Sequence, residues 1–321
     1  MIENTTKNEA WEKNTLQQLL FGTLAEQRRK RRWRVFFLLL VFSYIFFMTW
    51  FVCYKDQTEL YSADSLHRDH TAQIDIIGEI LDEQGVTAEQ VIESLQTAFK
   101  AKNCKGIVLR INSPGGSGVQ ASQIYKEINR LRKTRTDLPI YAVIEDIGAS
   151  AAYLIASAAD KIYADEMSMV GSIGVLINSF GFVNTMEKLG VERRLYTAGE
   201  HKGMLDPYSP VNPEDVEFIK QQLSMVHKKF IADVKAGRKG QLAADDSIYS
   251  GRFWVGEMAK DLGLIDEFGD TSLIARDVFK APKVVDYTVG SSVFDRLAKR
   301  IGASVGKNLL PKASAVEFSV Y

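Results

Sequence analysis

The chain has 321 residues, of which 46% are hydrophobic and 25% are charged, and its formal net charge is zero. This is an ordinary globular composition, with room for one large domain or two small ones. The two cysteines, Cys53 and Cys104, exclude a disulfide framework and a cysteine-rich metal site. Only four histidines are present, so a histidine-based mechanism has few candidates.

An uncharged apolar segment near the N-terminus predicts a membrane anchor. Residues 35–53 carry no charge, and at about 1.5 Å per residue they are long enough to cross the hydrocarbon core of a bilayer. The preceding 34 residues hold eight Lys/Arg against four Asp/Glu. The positive-inside rule therefore predicts a cytoplasmic basic tail (1–34), a transmembrane anchor (35–54) in the inner membrane and a remainder outside the cytoplasm.

The alternatives to a membrane anchor are a cleavable signal peptide and a nucleic-acid-binding tail. A cleavable signal peptide should have a shorter apolar region and a small-residue cleavage site, and residues 54–60 offer none. A basic tail is also compatible with nucleic acid, but here the charge abuts the apolar segment. Contact with anionic membrane lipid explains the tail better, and we expect no nucleic-acid partner.

The chain beyond the anchor predicts alternating strands and helices. Residues 55–70 are polar and indicate a tether, and residues 72–77 alternate in the manner of a strand. The capping-box pattern Thr87-Ala-Glu-Gln90 predicts a helix that ends near residue 100. Residues 106–111 then predict a second, buried strand.

The remaining elements complete an α/β pattern. We predict helices at 119–132, 179–189 and 213–236, strands at 139–144 and 161–164, and a turn at 171–174. Continuous apolar strands that alternate with helices favour an α/β fold with a mostly parallel sheet. The predicted domain covers 71–280, and an extension over 281–321 contains a possible amphipathic helix near 293–309.

Ser150 lies where a strand gives way to a helix. Gly148 is predicted to break the strand, and the alanine-rich run from Ala149 predicts a helix. A serine at such a junction presents its hydroxyl near free N–H groups, which favour developing negative charge. Most serines in this position only cap a helix. However, the Gly-x-Ser-x-Ala pattern at 148–152 nearly matches the nucleophile elbow of α/β-hydrolases.

The glycine-rich stretch Asn112-Ser-Pro-Gly-Gly-Ser-Gly118 also leaves a predicted strand and enters a helix. Paired glycines let the backbone approach a ligand and aim N–H groups at one point. Neither a phosphate-binding loop nor a dinucleotide fingerprint is present. Because the carboxyl ends of parallel strands share one edge, this loop and the Ser150 turn are expected to form an oxyanion hole together.

A hydroxyl nucleophile needs a base, and the residues leave two candidates open. His201 and Lys202 are adjacent in a loop stiffened by prolines, whereas His227 lies in a predicted helix and is interpreted as a solvated residue. A lysine serves as a base only when its amine is neutral. That requires desolvation worth on the order of 4 kcal/mol.

Several motifs, in this order, resemble the signal peptide peptidase A family. They are Ser-Pro-Gly-Gly after the second strand, Gly-Ala-Ser-Ala-Ala-Tyr, Val-Gly-Ser-Ile-Gly-Val, Thr-Ala-Gly-Glu-His-Lys and the later Val-Asn-Pro-Glu-Asp, Gly-Arg-Phe-Trp and Gly-Leu-Ile-Asp-Glu-Phe-Gly. The resemblance covers about residues 70 to 270. It implies a crotonase-like or Clp-protease-like α/β fold and a Ser–Lys dyad.

The resemblance also implies a role for each site residue. Ser150 would be the nucleophile and Lys202 the general base, Ser172 would hold the lysine amine, and Gly115 and Gly116 would line the oxyanion hole. In short, single-copy relatives the serine and lysine meet between neighbouring subunits, so a homo-oligomer is implied. The expected activity is a membrane-anchored serine endopeptidase that cleaves extended peptides, such as signal-peptide remnants, without a cofactor or a metal.

Two positions depart from the family pattern, and two other functions are considered. Ala151-Ala152 replaces a usual Gly-Gly, and Gly203 replaces a polar residue, which puts substrate access and lysine orientation in question. An acyl-CoA hydratase-like enzyme of the same fold class would use a carboxylate base, for which Glu145 and Asp146 are the candidates. A catalytically silent membrane scaffold would not need Ser150 or Lys202.

Overall fold

The computed structural model describes residues 30–50, 68–82 and 85–290. The first of these ranges is a single helix, α1 (Lys30–Trp50), with a mean hydropathy of 1.7 and exposed apolar side chains. Its length and composition are sufficient to cross a membrane, as the apolar segment predicts. The end of the predicted anchor (51–54) and most of the predicted tether lie outside the described residues.

Within the described ranges, the part of the chain from residue 68 onward is organised around an eight-stranded sheet. The strands are β1 (His70–Ile77), β2 (Cys104–Ser113), β3 (Ile140–Ala149), β4 (Lys161–Ala164), β5 (Met169–Gly171), β6 (Phe253–Val255), β7 (Glu267–Phe268) and β8 (Val284–Asp286). Their order is β6-β5-β3-β2-β1-β8, with β4 beside β3 and β7 beside β4. Every pairing is parallel except that of β5 with β6, so the predicted parallel α/β sheet is confirmed with one antiparallel edge.

Helices flank the sheet and several begin at the predicted caps. They are α2 (Ala88–Lys100), α3 (Gly118–Thr134), α4 (Ala151–Ser157), α5 (Val183–Lys188), α6 (Pro213–Arg238) and α7 (Gly256–Asp261), with short helical turns at Asp246–Tyr249, Thr271–Leu273 and Ile274–Val278. Thr87 forms the predicted capping box with Gln90. Asn212 caps α6 by accepting a hydrogen bond from the Glu214 N–H.

The core lies on both faces of the central strands. Ile107 and Ile111 of β2 are fully buried in the larger cluster, which also takes the apolar faces of α2 and α3. Val108, between them in sequence, points to the opposite face and packs with Val143 and Tyr163. Because both faces are covered, the central strands are continuously apolar, which is why the sequence predicts them so clearly.

Two sequence predictions differ from the structure. Gly148 does not break β3: the strand pairs with β4 as far as Ile144 and then with β5 from Ile147 to Ala149. Gly148 is required there because a Cβ atom would lie 2.8 Å from the Ile144 side chain. The helix predicted at 179–189 forms only over α5. No residue of α5 is buried, so no tertiary packing extends this short helix.

The C-terminal end of α6 is fixed to the sheet by a buried ion pair. The side chain of Arg238 is 2% exposed, and its Nη1 donates to Asp266 Oδ2 at 2.8 Å. Arg238 Nε also donates to the Gly263 carbonyl oxygen at 3.0 Å. Asp266 in turn accepts a hydrogen bond from the Ile162 N–H of β4 at 2.7 Å.

Replacing Arg238 by methionine should strongly destabilise the fold, because it leaves the Asp266 carboxylate buried without its cation. We expect a loss of about 3–5 kcal/mol in the free energy of unfolding, measured by denaturation of the detergent-solubilised chain. The control is Lys260→Met, which breaks the exposed pair with Glu267 and should cost less than about 1 kcal/mol. Equal denaturation midpoints for the two variants would contradict the role given to Arg238.

Candidate active site

Ser150 sits in a strained turn between β3 and α4. Its φ of 56° and ψ of −121° lie in a region that residues other than glycine rarely adopt. The backbone is held on both sides, since its N–H donates to the Gly171 carbonyl at 2.7 Å and its carbonyl accepts from the Leu154 N–H at 3.0 Å. Such strain persists only where the surrounding structure enforces it, and it is common at functional sites.

The Ser150 hydroxyl has no hydrogen-bond partner within the described part of the chain. Its Oγ is buried, and the side chain makes no capping hydrogen bond to α4. The interpretation of Ser150 as a simple helix cap is therefore wrong. An unsatisfied buried hydroxyl costs about 1–3 kcal/mol, so a residue kept under this penalty points to a function.

Strand register places Ser172 next to this turn. Ala149 pairs with Gly171, so Ser150 and Ser172 are the next residues along two adjacent parallel strands. Ser172 is itself at a positive φ of 51°. Its N–H donates to the Arg252 carbonyl at 2.8 Å, which fixes the turn against the residues before β6.

The glycine loop reaches the same edge of the sheet, because Ser113 of β2 pairs with Gly148 of β3. Gly115 and Gly116 have φ values of 111° and 139°. The Ile80 N–H donates to the Gly115 carbonyl at 2.8 Å, and the Ser117 N–H donates to the Ile80 carbonyl at 2.7 Å. Neither bond uses the Gly116 N–H, whereas the Gly115 N–H donates to Ser113 Oγ at 3.2 Å.

Within the described part of the single chain, Lys202 makes no hydrogen bond with Ser150. It lies in an exposed turn after α5, where its N–H donates to the Gly199 carbonyl at 3.1 Å. Since Ser150 Oγ has no partner, no hydrogen bond joins it to the Lys202 amine. The fold therefore gathers Ser150, Ser172, Gly115 and Gly116 at one edge of the sheet, whereas Lys202 lies in an exposed turn without a hydrogen bond to Ser150.

The two histidines considered from the sequence have defined partners. His201 Nδ1 lies 2.6 Å from Asp215 Oδ1, and this carboxylate raises the pKa of His201 above its usual value. His227 is half-buried, and its Nε2 donates to the Ile173 carbonyl oxygen at 3.1 Å. The interpretation of His227 as a solvated helix residue is thus wrong. The available signal was its spacing of three residues from Phe230, which is buried on the same face of α6.

Helix α6 consequently touches both parts of the candidate site. Asp215 in its first turn holds His201, and His227 further along holds Ile173, directly after Ser172. The two attachment points are twelve positions apart, which corresponds to roughly 18 Å along the helix axis. The turn that carries Lys202 and the residue after Ser172 are therefore attached to α6 at well-separated points.

These features define an α/β protein with a strained, buried serine beside a glycine loop at the carboxyl edge of a parallel sheet. Comparison with known families agrees with that class: residues 58–170 match the Clp protease family, and residues 132–284 match Peptidase family S49. The chain is thus a relative of the S49 peptidases, and the resemblance predicted from the sequence is confirmed.

Individual relatives support the same relationship. An Enterococcus faecium protein designated as a candidate signal peptide peptidase SppA is 31% identical over 201 residues, which cover 63% of this chain and 58% of that protein. Serine protease SPPA, chloroplastic, of Arabidopsis thaliana is 30% identical over 188 residues, covering 58% of this chain and 27% of that protein. A Brucella abortus protein named Na(+)/H(+) antiporter NhaA is 43% identical over 185 residues, covering 58% of this chain but only 25% of its own length.

The close approach at Gly116 gives a direct test of the glycine loop. A Cβ atom there would lie 2.3 Å from the Ile80 carbonyl oxygen, so Gly116→Ala must shift the loop. We expect labelling of Ser150 by a fluorophosphonate to slow by about 100-fold, as when one oxyanion-hole donor is lost. Gly181→Ala is the control, because nothing lies within 4 Å of its Cβ position. Unchanged labelling in a folded Gly116→Ala protein would exclude the loop from the site.

Proposed function

We propose that this protein is a membrane-anchored serine endopeptidase in which Ser150 is the nucleophile and Lys202 is the general base. The observation that carries the proposal is the buried Ser150 hydroxyl, held without a partner in a positive-φ turn beside the glycine loop. The matches to Peptidase family S49 and to a serine protease support it. The finer assignments of base, assembly and substrate below belong to the same proposal.

The proposed chemistry gives each group one role. Ser150 Oγ attacks the scissile carbonyl carbon and its proton passes to the neutral Lys202 amine. The Gly116 N–H, which is left out of the bridge to Ile80, donates to the developing oxyanion. The protonated amine then gives its proton to the leaving nitrogen, and water hydrolyses the acyl-enzyme by the same steps in reverse. Ser172, beside Ser150, accepts a hydrogen bond from the amine.

Lys202 reaches a serine in a neighbouring copy of the chain in this proposal. Within the described part of a single chain, no hydrogen bond joins the Lys202 amine to Ser150 Oγ, and the turn of Lys202 is attached to α6 at Asp215. The surrounding segment also exposes several large apolar side chains, including Phe180 at 63%, Tyr196 at 89%, Val211 at 77% and Met225 at 65%. In this proposal a second copy of the chain covers this apolar surface. Burial of this surface under a second copy would also remove water from around the Lys202 amine and favour its neutral form.

The anchor and the site support the proposed substrate class. Helix α1 would hold the catalytic unit at the outer surface of the inner membrane, where extended peptides such as signal-peptide remnants remain after export. The hydratase-like alternative receives less support, because its carboxylates have other partners. Glu145 pairs with Arg110 at 3.4 Å, and Asp146 accepts a hydrogen bond from Asn112 Nδ2 at 2.9 Å.

Single variants test the dyad. Ser150→Ala and Lys202→Ala should each lower peptide hydrolysis by about 10⁴-fold or more, since nucleophile and base act as one unit. Fluorophosphonate labelling should be lost in both. A scaffold without catalysis would show no labelling of the wild-type chain either, and hydrolysis that persists in the Lys202→Ala protein would reject the proposed base.

Mixing the two inactive variants tests whether the dyad forms between chains. Co-assembled Ser150→Ala and Lys202→Ala chains should regain roughly a quarter of the wild-type activity, because in a head-to-tail ring one interface in four pairs an intact serine with an intact lysine. Mixing after the assembled variants have been cross-linked is the control and should restore nothing. A dyad within one chain would give no recovery under either condition.

A further inference from the structure

The turn that carries Lys202 is fastened to helix α6 by one polar contact next to the lysine itself. His201 immediately precedes Lys202, and its Nδ1 lies 2.6 Å from Oδ1 of Asp215 in the first turn of α6. The His201 side chain is 44% exposed and that of Asp215 is 16% exposed. The carboxylate is therefore the more enclosed partner, and the imidazole covers it from the solvent side.

The rest of the turn is closed by its own backbone. The Met204 N–H donates to the His201 carbonyl and the Asp206 N–H to the Gly203 carbonyl, each at 3.1 Å. Leu205 has a positive φ of 70°, so the chain reverses sharply at this point. These bonds fix the shape of the turn but not its orientation on α6. On the N-terminal side of Lys202, the His201–Asp215 contact joins the turn to α6.

We propose that His201 and Asp215 form an ion pair that positions Lys202 for its reaction with Ser150 of a neighbouring chain. The inference rests on the proposed Ser–Lys mechanism and adds a positioning pair to it. His201 touches neither the substrate nor the reacting atoms in this scheme. Its role is to set the direction in which the Lys202 side chain projects towards the neighbouring chain. This direction matters because displacement of a reacting group by about 1 Å can cost 100-fold in rate.

The charges around His201 favour its protonated form. Glu200 on the same turn, and Glu214 and Asp215 on α6, are the acidic groups that face it, and the bond to Asp215 is the largest cause of its raised pKa. A raised pKa means that the pair is fully charged at pH values below the ordinary pKa of histidine. The ionic contribution is then lost as the pH rises through the raised value, leaving only a neutral hydrogen bond.

The test measures kcat and KM for peptide hydrolysis by the full chain in detergent. We expect His201→Ala and Asp215→Asn each to lower kcat by roughly 10-fold while KM stays unchanged, and the double variant to lose no more than either single one. Glu217→Gln is the matched control, because it removes an exposed carboxylate from the same end of α6. Wild-type kcat in His201→Ala below pH 6, or an equal loss in Glu217→Gln, would overturn the proposal.

A pH profile separates positioning from a purely structural role. His201→Gln keeps an N–H donor for Asp215 but cannot become charged. The ratio of wild-type to His201→Gln kcat should therefore be largest at low pH and fall towards one as the pH rises through the pKa of His201. A ratio of the two kcat values that is constant with pH would contradict the ion-pair proposal.

Failure of this inference is distinguishable from failure of the dyad. If Lys202→Ala is inactive while His201→Ala is normal, the dyad stands and the positioning pair is wrong. If Lys202→Ala retains activity, the dyad itself is wrong. If His201→Ala loses fluorophosphonate labelling as completely as Lys202→Ala, His201 acts chemically as a base, and the positioning proposal is overturned as well.

Discussion

The register between β3 and β5 is the constraint on which the site depends. Pairing of Ala149 with Gly171 brings the Ser150 N–H to the Gly171 carbonyl, and this bond holds the serine at a positive φ. All seven residues of α4 are buried directly after it, so the helix cannot shift to relieve the strain. The free-energy cost of the positive φ and the unsatisfied hydroxyl of Ser150 is thus offset by core packing on both sides of this residue.

Helix α6 makes side-chain contacts with three separate parts of the chain, one of them next to the strained turn of Ser150. It is attached near its start to the lysine-bearing turn, midway to the residue after Ser172, and at its end to Asp266 through Arg238. These three contacts fix α6 against the lysine-bearing turn, the residue after Ser172 and the loop before β7. In the proposed head-to-tail assembly, the lysine-bearing turn of one chain would meet the serine of the next.

The backbone of the glycine loop is held by a residue that is distant in sequence. Ile80 lies after β1, more than thirty residues before the loop, and both its N–H and its carbonyl bond to residues that flank Gly116. The carbonyl leaves no room for a Cβ atom at Gly116. The position therefore needs glycine for two reasons that act together, the close approach of Ile80 and the positive φ.

The sequence by itself determined the central strands, the capped helices and the residue types of the site. These are local properties: continuous apolar runs, the Thr87 and Asn212 caps, and a serine at a strand–helix junction. It predicted wrongly that Gly148 ends a strand and that His227 is solvated, since both depend on partners far along the chain. Only the tertiary structure decided which loops meet, because strand register and the attachment of α6 are set by packing between distant segments.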